Sequence, residues 1–151
     1  MPSITPFLWF DSQAEEAMNF YASVFPRSKV TSVNRANGKA MSVTFELEGQ
    51  KFMALNGGPH HTFNESISLF VACETQEEID DLWAKLTADG GEPGRCGWLK
   101  DKFGLSWQIV PTTLGRMLND KDAGKSKRVM NAMLQMGKLD LVLLQQAYSG
   151  E

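Results

Sequence analysis

The sequence is short of the residues that do most covalent and metal chemistry, holding 2 cysteines and 2 histidines among its 151 residues. Cys73 and Cys96 make no disulfide framework and show no Cys-x-x-Cys spacing, so free buried thiols are expected. Long apolar runs are missing too: nothing approaches the roughly 20 residues of a membrane span, which excludes a membrane partner. The opening Met-Pro-Ser-Ile-Thr-Pro has neither the basic nor the separate apolar region of a signal peptide, and a cytoplasmic protein is expected. Positive charge is not in surplus. With 15 Lys and Arg against 18 Asp and Glu the net charge is −3, which argues against nucleic acid. The densest basic stretch sets Lys121, Lys125, Lys127 and Arg128 beside Asp120 and Asp122, with no aromatic residue for base stacking, as on a solvated helical face.

What is present is an ordinary globular composition, 42% hydrophobic and 22% charged, in a chain long enough to bury a proper core. An internal repeat organises it. "SITPFLWFDSQAEEAMNFY" (3 to 21) lies over "SISLFVACETQEEIDDLW" (66 to 83) with one gap, so that Ile4 meets Ile67, Phe7 meets Phe70 and Gln13 meets Gln76. Both copies read as a strand followed by a helix. Ser12 and Thr75 are the expected N-caps, and Thr75-Gln76-Glu77-Glu78 is a capping box. Ala17, Phe20, Tyr21, Val24 and Phe25 form the apolar stripe of the first helix; Ile79, Leu82, Trp83 and Leu86 form that of the second.

Strand-like sequence follows each helix. "SKVTSVNR", "KAMSVTFELEG" and "QKFMALN" close the first half, with a hairpin turn at Glu48-Gly49-Gln50, and "CGWLKDKFG" and "LSWQIVP" close the second. Laying Gly49 on Gly104 sets Met53 against Gln108. The expectation is an α+β fold of two βαβββ modules, about 1–62 and about 63–112, in a single domain with a helical tail over about 113–151. Modules paired side by side would curve a mixed sheet around a cleft suited to a small molecule. Trp9, Trp98, Phe103 and Trp107 either line that cleft or pack the core. His60 and His61, adjacent in a loop after Asn56-Gly57-Gly58-Pro59, are not placed to share a metal; they are either a solvated rim or a titrating group near the ligand. Lys100-Asp101-Lys102 reads as a charged turn, Cys96 as a small core residue, and Met130, Met133 and Met136 as packing at helical spacing.

In its paired βαβββ modules the chain resembles the vicinal oxygen chelate superfamily, which includes glyoxalase I, extradiol dioxygenases and bleomycin- and fosfomycin-resistance proteins. "FYASVFPRSKV", "FELEGQKFMALNGGP" and "CGWLKDKFGLSWQIVPTTLGRML" are similar to its PhnB-like group, known as the 3-demethylubiquinone-9 3-methyltransferase domain, and the likeness is expected to run into the tail "VMNAMLQMGKLDLVLLQQAYSG". The turn "NRANGKAM" is shorter than the Gly-rich loop of that group. The inherited label finds no support in the residues, because no Gly-rich strand-to-helix turn of the kind that approaches S-adenosylmethionine is visible.

The resemblance also implies where a metal would sit: the last strand of the second module would carry a Glu where this chain has Gln108, and the matching slot of the first is Met53. Thr5 and Ser68, or Phe7 and Phe70, fall near the other two slots. No His or carboxylate fills any of them, so no cofactor is expected and a divalent metal is disfavoured. Gln108 then either binds a neutral ligand or satisfies a neighbouring group. The cleft candidates are Thr5, Phe7, Trp9, Met53, Asn56, His60, Ser68, Phe70, Trp98, Phe103 and Gln108. Three functions are open: a metal-free binder of a small apolar or aromatic molecule, a metal-dependent lyase, isomerase or transferase, and an interaction protein with a vestigial cleft. A homodimer is expected from the resemblance.

Overall fold

Each copy of the repeat folds as a strand, a helix and three further strands. The computed structural model describes residues 1–151 and divides into two units, Met1–Thr62 and Phe63–Glu151. In the first, β1 (Phe7–Phe10), α1 (Ala14–Val24), β2 (Ser28–Ala36), β3 (Lys39–Leu47) and β4 (Gln50–Asn56) form a sheet in the order β1-β4-β3-β2. β1 runs parallel to β4 and the other pairs are antiparallel. The turn chemistry explains the two hairpins. Asn37-Gly38 and Glu48-Gly49 all have positive φ, the requirement of the tight two-residue turn that matches strand twist. Alternation then sends Val43, Phe45 and Leu47, with Leu8, Phe10, Phe52 and Ala54, to one face. Ala14, Ala17, Met18, Tyr21 and Val24 of α1 are buried with them, and Tyr21 lies 6.4 Å from the Phe45 ring.

Two details of α1 depart from the expected reading. Its N-cap is Gln13 and no side chain of its own caps it. The Ala14 amide instead donates to Asn56 Oδ1 at 2.8 Å, so the end of β4 caps the helix that Ser12 was expected to cap. Phe20 is only half-buried and Met18 takes its place in the stripe.

In the second unit, β5 (Leu69–Cys73), α2 (Gln76–Thr87), β6 (Glu92–Pro93), β7 (Trp98–Lys100) and β8 (Ser106–Pro111) repeat the topology as β5-β8-β7-β6, with β5 parallel to β8. Thr75 does cap α2, its hydroxyl accepting from the Glu78 amide at 3.1 Å. Ile79, Leu82 and Leu86 are buried, whereas Trp83 is half-exposed. Beyond β8 come α3 (Leu114–Leu118), α4 (Ala123–Leu134) and α5 (Leu141–Ser149). They gather around Leu114, Met117, Val129, Leu139 and Leu144, and Val110 of β8 belongs to the same cluster. Met133 and Met136 pack against it, while Met130 is exposed.

Lys100-Asp101-Lys102 is more than a charged turn. Asp101 is 2% exposed. Its carboxylate accepts from the Phe103 amide at 2.9 Å, the Leu105 amide at 3.1 Å and Trp107 Nε1 at 2.9 Å. Gly104, at φ +88°, closes the turn by donating to the Asp101 carbonyl. The buried carboxylate thus fixes the β7–β8 connection and the Trp107 indole together.

Candidate functional site

The residues that bury one face of each sheet leave the other face to its odd-phase neighbours. In the first unit Phe7 stands beside Met53, which stands beside Thr44; one step along, Trp9, Leu55 and Ser42 form the next row. In the second, Phe70, Gln108 and Trp98 form one row across β5, β8 and β7. The slots assigned by the repeat are therefore equivalent in fact: Phe7 opposes Met53 as Phe70 opposes Gln108. The pairing brings Phe7 and Phe70 into these rows, whereas Thr5 precedes β1 and Ser68 precedes β5. Phe7 is 51% and Phe70 60% exposed, so each row has an apolar ring open at one end.

Gln108 is held. Its Nε2 donates to Ser68 Oγ at 2.9 Å, which leaves the carboxamide oxygen as an acceptor on this face. Asn56 faces a different duty. Its Oδ1 caps α1 and its Nδ2 donates to the Ala40 carbonyl at 3.0 Å, so both ends of the amide are used within the first unit. Phe103 lies in the β7–β8 turn with the Lys102 ammonium 5.5 Å from its ring centre, outside the row that Trp98 joins. Trp107 points to the core, with 2% exposure.

Trp9 is locked from two sides. Its Nε1 donates to the Gly58 carbonyl at 3.0 Å, and His61 meets the ring edge-on with centroids 4.8 Å apart. A Cβ at Gly57 would fall 2.2 Å from the Trp9 ring, so the loop can lie on the indole only with glycine there. His60 is exposed, and the two histidines belong to no group of three or more possible metal ligands. Thr44, Leu55 and Ser42 escaped the sequence reading. Ser42 and Thr44 lie in the alternating run "MSVTFEL" and Leu55 in "QKFMALN", and that alternation is the signal that could have found them.

The donor set can be tested against the metal that the superfamily resemblance implies. Of Phe7, Met53, Phe70 and Gln108, none offers an imidazole or anionic donor: Met53 has only a soft thioether and Gln108 a neutral amide already bonded to Ser68. No group of three or more His, Cys, Asp or Glu side chains converges anywhere as a cation site. These residues do not fit the metal. Nor do the strand-to-helix turns, 11–13 and 74–75, contain a glycine that would let a nucleotide-like cofactor approach the backbone. Cys73 is no nucleophile: burial first, and Glu78 second, push its thiol up to about 11.

The sequence model of the 3-demethylubiquinone-9 3-methyltransferase family matches residues 2–110. Among solved structures, the chain is similar to a PhnB protein from Bacillus cereus, at 38% identity over 74% of this chain and 100% of that one, with a TM-score of 0.69. A protein from Pseudomonas aeruginosa matches at 18% identity over 74% of this chain and 98% of that one, with a TM-score of 0.62. The fosfomycin resistance protein FosX from Listeria monocytogenes, complexed with Mn(II) and sulfate, matches at 14% identity over 78% and 98%, with a TM-score of 0.57. The last two share the fold alone. No curated protein matches. The family match ends at residue 110, so the likeness expected to run through the helical tail stops short of it.

Proposed function

We propose, from the premise that this chain belongs to the PhnB-like 3-demethylubiquinone-9 3-methyltransferase family of the vicinal oxygen chelate superfamily, that it binds a small apolar or aromatic molecule without the superfamily's metal centre. The observation that carries this reading is the row Phe70, Gln108 and Trp98: two aromatic side chains flank one oriented, uncharged amide where a metal-using relative would need an anionic ligand. Burying a neutral amide against a ligand carbonyl or hydroxyl is far less costly than burying a carboxylate, and an apolar ring would cover Phe70. Phe7 and Met53 supply the corresponding apolar pair of the first unit. Action in the cytoplasm as a homodimer completes the proposal.

The test is elemental analysis of protein purified without chelator or tag metal, followed by thermal shift with divalent Mg, Mn, Zn, Ni and Fe and with a panel of aromatic and quinone-like compounds. The expected result is no stoichiometric metal, stabilisation by ring compounds, and about tenfold weaker binding in Gln108→Ala. A bound metal, or a clear stabilisation by one, overturns the reading and places the metal-dependent enzyme first.

A further inference from the structure

One polar atom of the second unit lacks any partner in the place where the fold leaves a hollow. Ser106 opens β8 and is fully buried, yet its hydroxyl makes no hydrogen bond. Its neighbours Leu105 and Trp107 are core residues, so alternation turns Ser106 to the same side as Gln108. There it lines a hollow of about 160 Å³ together with Glu65, Glu92, Pro93, Trp98 and Lys100. A volume of about 150 Å³ suits one benzene-sized ring, and this hollow is half open to solvent with the Ser106 hydroxyl sealed beneath its surface.

The charges around it are uneven. Lys100 sits opposite Ser106 in the ladder and Glu92 sits opposite Lys100. Lys100 is tied to Glu65 in an ion pair, and Glu92 adds a second carboxylate within reach of its ammonium. One cation between two anions leaves the rim negative, which repels a carboxylate and tolerates a neutral or cationic substituent. Trp98 and Pro93 supply flat apolar walls.

We infer that the hollow over Ser106 is a specificity pocket for a single aromatic ring carrying one hydroxyl or amino group, a phenol or an arylamine, and that it excludes aromatic carboxylates. The inference rests on the small-molecule reading above and names the class of ligand. Ser106 Oγ both donates and accepts, so it satisfies either substituent, and the ligand relieves the orphaned hydroxyl at the moment it binds. The Lys100–Glu65 pair at the rim swings aside to admit the ring; both side chains are partly exposed and free to do so.

The experiment uses the full chain and amide and indole NMR signals, titrated with phenol, aniline and benzoate. Phenol and aniline are expected to shift the Trp98 indole and the amides of Lys100 and Ser106; benzoate is expected to shift none of them. Ser106→Ala should raise the melting temperature of the free protein, because an unsatisfied hydroxyl is removed, and weaken phenol about tenfold. Glu92→Gln, an exposed change that spares the fold, should admit benzoate. Equal binding of benzoate to the parent chain, or phenol affinity unchanged in Ser106→Ala, overturns the inference. If ring compounds instead shift Phe70 and Gln108 and survive Ser106→Ala, this pocket is refuted while the broader reading stands. If no ring compound shifts any of these signals, both fall.

Discussion

A single carboxylate shows how much one residue decides. Asp101 gathers three N–H donors from the turn and the Trp107 indole. Asp101→Asn keeps one acceptor oxygen but turns an NH₂ towards a donor, so a loss of about 3 kcal/mol is expected in urea unfolding. The signal for this was present in "DKFG": an Asp with Gly three residues on is the pattern of a turn whose side chain folds back on its own amides. Its burial was not legible, because a Lys-Asp-Lys triplet looks solvated until Trp107 is known to point inward. Cys73 gives a pH signature. Its thiol, ordinarily at 9.0, rises to about 11, so between those values the unfolded chain releases a proton that the folded chain keeps. Stability is therefore full below pH 9.0 and falls as pH rises towards about 11, and Cys73→Ala should flatten that decline in alkaline melting curves. A thiol reagent at pH 8 is expected to label the half-exposed Cys96 and to reach Cys73 only on unfolding.

The elements divide by how local their causes are. α2, the β3–β4 hairpin and the pairing of Phe70 with Gln108 follow from signals a few residues long: a capping box, a Glu-Gly turn, an alternating run and a repeat. The start of α1 was not legible in the same way, since its cap comes from Asn56, 42 residues away. The Asn56 amide looked like a ligand group for the same reason. Gln76 is another long-range tie. Its Nε2 donates to the Leu139 carbonyl at 3.0 Å and its Oε1 accepts from the Leu141 amide at 2.7 Å, which pins the α4–α5 connection to α2. Beside it Lys138, and then Gln76, hold the Asp80 carboxyl below its usual range. A depressed carboxyl contributes above its ordinary pKa and loses that contribution as pH falls through the lowered one, so the Lys138–Asp80 pair weakens on the acid side. Gln76→Ala should speed hydrogen exchange of the Leu141 amide about tenfold at neutral pH while the amides of β3 keep their protection.

At the scale of the whole molecule, the border drawn by kinship and the border drawn by packing disagree. The family match ends at residue 110, but Val110 is buried among Leu114, Met117, Val129, Leu139 and Leu144. Leu139 also closes over Gly97, where an added Cβ would lie 3.0 Å from its Cδ1. A fragment ending at residue 112 is therefore expected to melt well below the full chain and to aggregate, measured by calorimetry and light scattering; an unchanged melting temperature would show the tail to be dispensable. Sedimentation of the full chain tests the proposed homodimer. The same arrangement acts as a ratchet on descent. Once an extension has let a strand end in bare apolar side chains, a lineage can lose that extension only by first repairing the strand, one substitution at a time, while each repair is still a burden inside the covered core.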